Sequence, residues 1–278
     1  MTEITAHHGL FKDTNLHVDD TGGPGRAVVL IHGWPLSGES FAAQVPVLTA
    51  AGYRVVTYDR RGFGRSDKPL TGYGYDTLAE DLHTLLEELE LTDATLVGFS
   101  MGGGEVARYL TNYGPGRIRS VVFASAVPPY MLHTNDNPEG PLEKSKAAKM
   151  TAELTASEDR FYDQFTTEFY SVEGVLKVGE EQRQRAIQIA KQSSKVAALA
   201  CMTAFGTTDF REDLSNVTVP TLVLHGDGDA TVPFEGSGAR THAAVPGSRL
   251  VVLPGAPHGA NESHPDEWNR AVLEFLKR

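Results

Sequence analysis

Apolar positions in this chain fall into short continuous runs separated by stretches of helical period. Val28-Val29-Leu30-Ile31, Tyr53-Arg54-Val55-Val56-Thr57-Tyr58, Ala94-Thr95-Leu96-Val97, Arg119-Ser120-Val121-Val122-Phe123-Ala124, Thr221-Leu222-Val223-Leu224 and Ser248-Arg249-Leu250-Val251-Val252-Leu253 each read as a buried strand. Residues 76–90 place Leu78, Leu82, Leu85, Leu86 and Leu89 on one helical face. Further helices are predicted near 41–51, directly after Ser100, near 235–245 and over 265–277, and residues 1–20 read as two short strands. Strand alternating with helix predicts an α/β fold with a mostly parallel central sheet flanked by helices. The alternation breaks at Pro128-Pro129, and from there to about Asn216 the pattern is polar-helical with no convincing strand. The predicted division is therefore a core domain of residues 1–127 and 217–278 carrying a helical cap insertion over 128–216.

With 278 residues, 40% of them hydrophobic, the chain can bury a large core. A net charge of −11 argues against a nucleic-acid partner. The N-terminus lacks the basic and apolar segments of a signal peptide, and no apolar run approaches the roughly 18 residues of a membrane span. The expectation is a cytoplasmic protein with no membrane partner. A single cysteine, Cys201, rules out an intrachain disulfide. It lies in the apolar run Ala197-Ala198-Leu199-Ala200-Cys201-Met202 and reads as a buried, inert thiol.

One stretch carries chemistry. Gly98-Phe99-Ser100-Met101-Gly102 stands between the run at 94–97 and the helix-like Gly103-Gly104-Glu105-Val106-Ala107-Arg108-Tyr109-Leu110. A serine held between glycines at a sharp strand-to-helix turn is a nucleophile elbow, because a Cβ on either side would collide with neighbouring chain. In a chain with 28 glycines the bare pattern has a chance probability of roughly 0.1–0.2, so its flanking elements and partners must decide. A serine hydroxyl needs a base, and the base needs an orienting carboxylate. In the α/β-hydrolases, whose elbow this stretch resembles, these follow in the order serine, acid, histidine, in loops after late strands.

Of ten histidines, His258 in Pro254-Gly255-Ala256-Pro257-His258-Gly259 meets both order and placement. His7, His8 and His17 read as solvated surface in an N-terminal hairpin. His83 reads as the polar side of a helix, His264 as a cap for the last helix, and His133 and His242 have no motif around them. His32 reads as a prop for the glycine loop that follows it. His225 precedes the acid and breaks the order. For the acid, Asp229 is preferred over Asp227 in His225-Gly226-Asp227-Gly228-Asp229-Ala230-Thr231-Val232-Pro233. Asp229 stands directly before the next segment, whereas Asp227 reads as a loop-shaping residue. The oxyanion hole is assigned to the backbone amides of Met101 and Trp34.

With these residues in place the chain resembles the α/β-hydrolase superfamily over nearly its full length, and within it the cofactor-free bacterial haloperoxidases (perhydrolases) and their aryl esterase relatives. The resemblance is carried by His32-Gly33-Trp34-Pro35, the block from Tyr58 to Ser66, the block from Gly98 to Val106, Asp209-Phe210-Arg211-Glu212-Asp213-Leu214 and Gly255-Ala256-Pro257-His258-Gly259. It implies a Ser100–Asp229–His258 triad with no metal and no organic cofactor. The implied substrates are small carboxylic, notably aryl, esters or carboxylic acids. The resemblance further implies that hydrogen peroxide can replace water as acyl acceptor, the released peracid then oxidising halide in solution. In this group a proline after the oxyanion tryptophan accompanies perhydrolysis; Pro35 either shifts a loop carbonyl toward peroxide or only rigidifies the loop.

An apolar pocket is expected from Trp34, Pro35, Phe165, Phe169, Phe205, Val232 and Phe234. Thr231 stands where relatives suggest a larger aliphatic residue. Amide or lactam hydrolysis through the same acyl-enzyme is the alternative enzyme reading, and a non-catalytic ligand-binding protein is a third; retention of all three triad members argues against the latter. Relatives often assemble, which leaves a homo-oligomer open, and no stretch identifies an interface.

Overall fold

The computed structural model describes residues 2–6 and 13–278. Its sheet contains β1 (Thr2–Ala6), β2 (Thr14–Asp20), β3 (Ala27–Ile31), β4 (Arg54–Tyr58), β5 (Ala94–Phe99) and β6 (Ile118–Ala124). A two-residue hairpin, β7 (Ser171–Val172) with β8 (Val175–Leu176), lies outside that sheet, and β9 (Thr221–Gly226) and β10 (Arg249–Leu253) complete it. The order is β1-β2-β4-β3-β5-β6-β9-β10; β1–β2 and β2–β4 pair antiparallel and every other neighbour pairs parallel. Strands β3 and β5 are buried at every position because helices cover both faces, which is why their sequences are continuously apolar rather than alternating.

The helices are α1 (Val45–Ala50), α2 (Tyr75–Glu88), α3 (Met101–Tyr113), α4 (Lys144–Ala156), α5 (Glu158–Phe169), α6 (Glu180–Ala190), α7 (Lys195–Thr207), α8 (Arg211–Ser215), α9 (Gly238–Ala244), α10 (Ala260–Ser263) and α11 (Pro265–Leu276). Helix α2 buries Leu78, Leu82, Leu85 and Leu86, the apolar face read from its period. Helix α11 starts on Pro265, where a missing amide costs nothing, and buries Trp268, Val272 and Phe275. The helix expected near 41–51 is split into a 3-10 turn, Gly38–Phe41, and α1, where Pro46 allows a start but not a continuation from before. The segment near 235–245 is likewise a 3-10 turn, Phe234–Gly236, followed by α9.

Between β6 and β9 the chain leaves the sheet, and this stretch holds α4 to α8 and the small hairpin. Ser157 and Ser194 cap α5 and α7, accepting from the amides of Arg160 and Ala197. Among the described residues no helix is long and apolar enough to cross a membrane.

The strand order places the site. The chain runs from β3 to β4 on one side and then to β5 on the other, so the loops after β3 and β5 diverge. Such a divergence opens a crevice at the carboxyl ends of the strands. The loops after β3, β5, β9 and β10 carry Trp34, Ser100, Asp229 and His258.

Candidate active site

Ser100 links β5 to α3 with φ 54° and ψ −119°, a conformation unfavourable for an L-residue. Its amide donates to Ala124 O at 2.9 Å, and its carbonyl accepts from Val127 N at 3.2 Å, which pins the turn to the end of β6. A Cβ on Gly102 would lie 2.4 Å from Ile31 O, so only glycine lets α3 start this close to β3. Met101 opens α3, and its amide is one of the orphan donors of a helix start.

From Ser100 a chain of hydrogen bonds runs inward. His258 Nε2 is 2.9 Å from Ser100 Oγ, and His258 Nδ1 is 2.6 Å from Asp229 Oδ2. All three residues are buried. The other Asp229 oxygen accepts from Thr231 N at 3.0 Å and Val232 N at 2.8 Å, which fixes the carboxylate plane. Asp227 instead accepts from Gly255 N at 2.6 Å and ties the acid loop to the histidine loop.

His225, set aside on chain order, also faces the acid. Its Nε2 is 2.8 Å from Val232 O and 3.3 Å from Asp229 Oδ2, so the carboxylate lies between two imidazoles. Burial works to raise the Asp229 carboxyl; His258 and His225 outweigh it and hold it down at about 2. A carboxyl depressed in the folded state stabilises the fold above its unfolded value and loses that contribution as pH falls through the folded one. Asp229 therefore contributes on the order of 2 kcal/mol above about pH 4, lost between about pH 4 and 2. Acid unfolding followed by circular dichroism is expected to lose that share of its pH dependence in Asp229→Asn; an unchanged slope below pH 4 would contradict this assignment.

The loop after β3 faces the serine. A Cβ on Gly33 would lie 3.0 Å from Ser100 Cβ and 2.9 Å from the Phe99 ring, so glycine is what allows this approach. Leu36 N donates to Gly33 O at 3.0 Å, and the Trp34–Pro35 peptide is cis. Beneath the loop, His32 Nε2 accepts from Arg60 N at 2.9 Å while Nδ1, 2.9 Å from Gly33 O, carries the proton. Burial and the Arg60 charge push this imidazole down to about 3, so it stays neutral. Arg60 donates to His32 O at 2.7 Å and is paired with Glu105 of α3, whose other oxygen accepts from Tyr58 Oη at 2.6 Å. Arg60 is 1% exposed and Glu105 fully buried. The sequence presented this segment as a loop rich in charge, and nothing in it marked Arg60 and Glu105 as an internal pair.

Above Ser100 lies a cavity of about 950 Å³ whose walls include Trp34, Phe165, Phe205, Thr231, Val232 and His258. The Trp34 indole donates to Ala198 O of α7 at 2.9 Å and packs against Phe161, Phe165 and Phe205 with centroids 5.1 to 5.9 Å away. Three expected wall residues are elsewhere. Phe169 sits behind the His258 imidazole, 4.9 Å from it and in contact with Phe99 and Tyr170, so its face is used up in packing. Phe234 turns away in its 3-10 turn and packs on His225 at 5.6 Å. Pro35 is buried and does not line the cavity, where the indole of Trp34 takes the wall position; any influence on acceptor choice runs through the loop backbone.

The other described histidines lie away from this site. His17 is not solvated: its side chain is 11% exposed and lies 3.3 Å from Asp19. His83 stacks on Tyr113 at 4.0 Å, and His242 bonds Ser248 at 2.8 Å. His264 occupies the cap position of α11, but its ring bonds Ser263 rather than the helix amides. His133 lies near Glu143, and His7 and His8 fall outside the described residues. Cys201 is fully buried, which pushes its thiol up to about 12 and keeps it protonated. Among the described residues no group of three or more His, Cys, Asp or Glu side chains could hold a metal ion.

The family model for the alpha/beta hydrolase fold matches residues 26–265. The chain is similar to a bromoperoxidase of Bacillus anthracis in crystal form, with 49% identity and a TM-score of 0.96 over 100% of this chain and 99% of that one. It is 40% identical over 259 residues to a non-heme chloroperoxidase of Kitasatospora aureofaciens, covering 92% of this chain and 94% of the relative. It is 36% identical over 259 residues to a bifunctional esterase/perhydrolase of Acinetobacter calcoaceticus, again covering 92% and 94%.

Proposed function

The chain belongs to the α/β hydrolase family, within its non-heme haloperoxidase and esterase group, and on that premise we propose that it is a serine hydrolase of small carboxylic esters that also transfers the acyl group to hydrogen peroxide. The observation that carries this reading is the continuous relay from Ser100 Oγ through His258 to Asp229, opening on an apolar cavity.

Ser100 Oγ attacks the ester carbonyl while His258 Nε2 takes its proton. Asp229 holds Nδ1–H and stabilises the imidazolium that forms. The oxyanion is held by the amides of Trp34 and Met101, donors fixed by the β3 loop and the helix start rather than by mobile side chains. His258 then gives its proton to the leaving alcohol, and an acyl-enzyme on Ser100 remains. Water attacking this intermediate releases a carboxylic acid; hydrogen peroxide attacking it releases a peracid. In both cases His258 receives the acceptor's proton and returns it to Ser100.

An apolar cavity of about 950 Å³ is larger than an acetyl group needs. Along a series of aryl esters from acetate to hexanoate, kcat/KM is expected to rise toward butyrate by up to about fourfold per buried methylene. The series is run in water and then with added peroxide, with acid and peracid quantified. A tenfold drop from acetate to butyrate would contradict the assignment of this cavity to the acyl chain.

A further inference from the structure

Met131, Met150 and Met202 all line the cavity that contains Ser100 and His258. The chain has five methionines, so most of its thioether sulfur surrounds one site. Met150 comes from α4 and Met202 from α7, while Met131 lies in the loop after the paired prolines. Met101, beside the nucleophile in sequence, is fully buried and does not line the cavity.

A thioether is a soft nucleophile that takes an oxygen atom from a peroxo compound without needing a proton to be removed first. The other candidates nearby are poorer. Lys146 and Lys149 present ammonium groups with no free lone pair, and Cys201 lies outside the cavity walls as a buried, neutral thiol. Among the sulfurs, that of Met202 is 3.8 Å from the Thr151 hydroxyl, whose proton goes to Ala147 O at 3.0 Å and leaves the thioether lone pairs unengaged.

We propose that the peracid formed on Ser100 oxidises the methionines of its own cavity to sulfoxides, making Met131, Met150 and Met202 modification sites that limit the working life of the enzyme. The inference rests on the perhydrolase reading above, which supplies the oxidant. The step is RC(O)OOH plus a thioether giving RC(O)OH plus a sulfoxide. The O–O bond breaks, the distal oxygen bonds to sulfur, and its proton passes to the carbonyl oxygen of the departing carboxylic acid. Sulfur is oxidised by two electrons and the peroxo group reduced by two. Each sulfoxide puts a strong dipole on an apolar wall, which weakens binding of apolar acyl chains.

The test is turnover of acetate with hydrogen peroxide by the full chain, with excess free methionine present to consume escaped peracid. Peptide mass spectrometry then reads the sulfoxide at each methionine, and a parallel reaction without free methionine reports released peracid. In the wild type, oxidation of the three cavity residues is expected to exceed that in Ser100→Ala by at least about tenfold, a proximity effect, with Met101 unchanged in both. A variant with all three replaced by leucine is expected to hold its own initial rate longer under peroxide turnover. Equal oxidation in wild type and Ser100→Ala while peracid is being released would overturn the proposal and leave the perhydrolase reading intact. Absence of peracid would overturn both.

Discussion

Replacing Ser100 with alanine is expected to lower kcat/KM for a short aryl ester by about 10⁴- to 10⁶-fold, the scale on which removal of a covalent nucleophile acts. The loss should fall on kcat, because the cavity walls that bind the ester do not include the hydroxyl's reactivity. Peracid formation should disappear together with hydrolysis, since both acceptors act on the same acyl-enzyme. Stability should change by well under 1 kcal/mol, as alanine keeps the Cβ and leaves both backbone bonds of the turn to Ala124 and Val127 in place. Steady-state kinetics and thermal melts of the same preparation check this. A variant within tenfold of wild type on either reaction would remove Ser100 from the chemistry.

The second large effect is on the fold rather than the reaction. Glu105→Ala leaves the guanidinium of Arg60 buried without its carboxylate, and takes the acceptor from Tyr58. Breaking one side of a buried ion pair costs about 3–5 kcal/mol. For a chain of this size that corresponds to a fall in Tm on the order of 10 °C. Arg60 also donates to His32 O, so the strain passes to the loop carrying Trp34, and kcat should fall with KM little changed. Replacing both partners with apolar residues, Arg60→Met with Glu105→Leu, is expected to cost less than Glu105→Ala alone, because no charge is then stranded. Calorimetry of Arg60→Met, Glu105→Leu and their double variant gives the coupling. A Glu105→Ala loss below about 1 kcal/mol would contradict the view that this pair is an internal charge couple.

The contrast between these two residues shows what a sequence can carry. Ser100 was legible because its chemistry demands a local backbone arrangement, a strand, a positive-φ turn and a helix, and local arrangements leave local patterns. The sheet was legible for the same reason: β3, β5, β6 and β9 are apolar at successive positions because helices cover both their faces. Asp229 and His258 are singled out by the chain order of the α/β hydrolases, each in a loop after its strand, and the fold brings them within hydrogen-bond distance of one another. Glu105 was not legible. Its importance comes from lying against Arg60, 45 positions earlier, and no local pattern records that approach.

His225 was lost in a related way. Order along the chain sets it aside as the base, but the same argument is silent on which side chains support the acid. Only the fold shows that Asp229 sits between two imidazoles. The pocket was partly misread because an aromatic residue beside a catalytic segment can face either way. Phe165 and Phe205 face the cavity, whereas Phe169 packs behind His258 and Phe234 behind His225. Those orientations are decided by packing from distant elements.

Acid quenching during turnover of an aryl acetate, followed by peptide mass analysis, bears most directly on the claim that one acyl-enzyme serves both reactions. A single acetyl group is expected on the peptide containing Ser100, decaying faster when hydrogen peroxide is added and yielding peracetic acid as it does. An acetyl group on any other residue, or an acetyl-Ser100 whose decay ignores peroxide while peracid still forms, would contradict it.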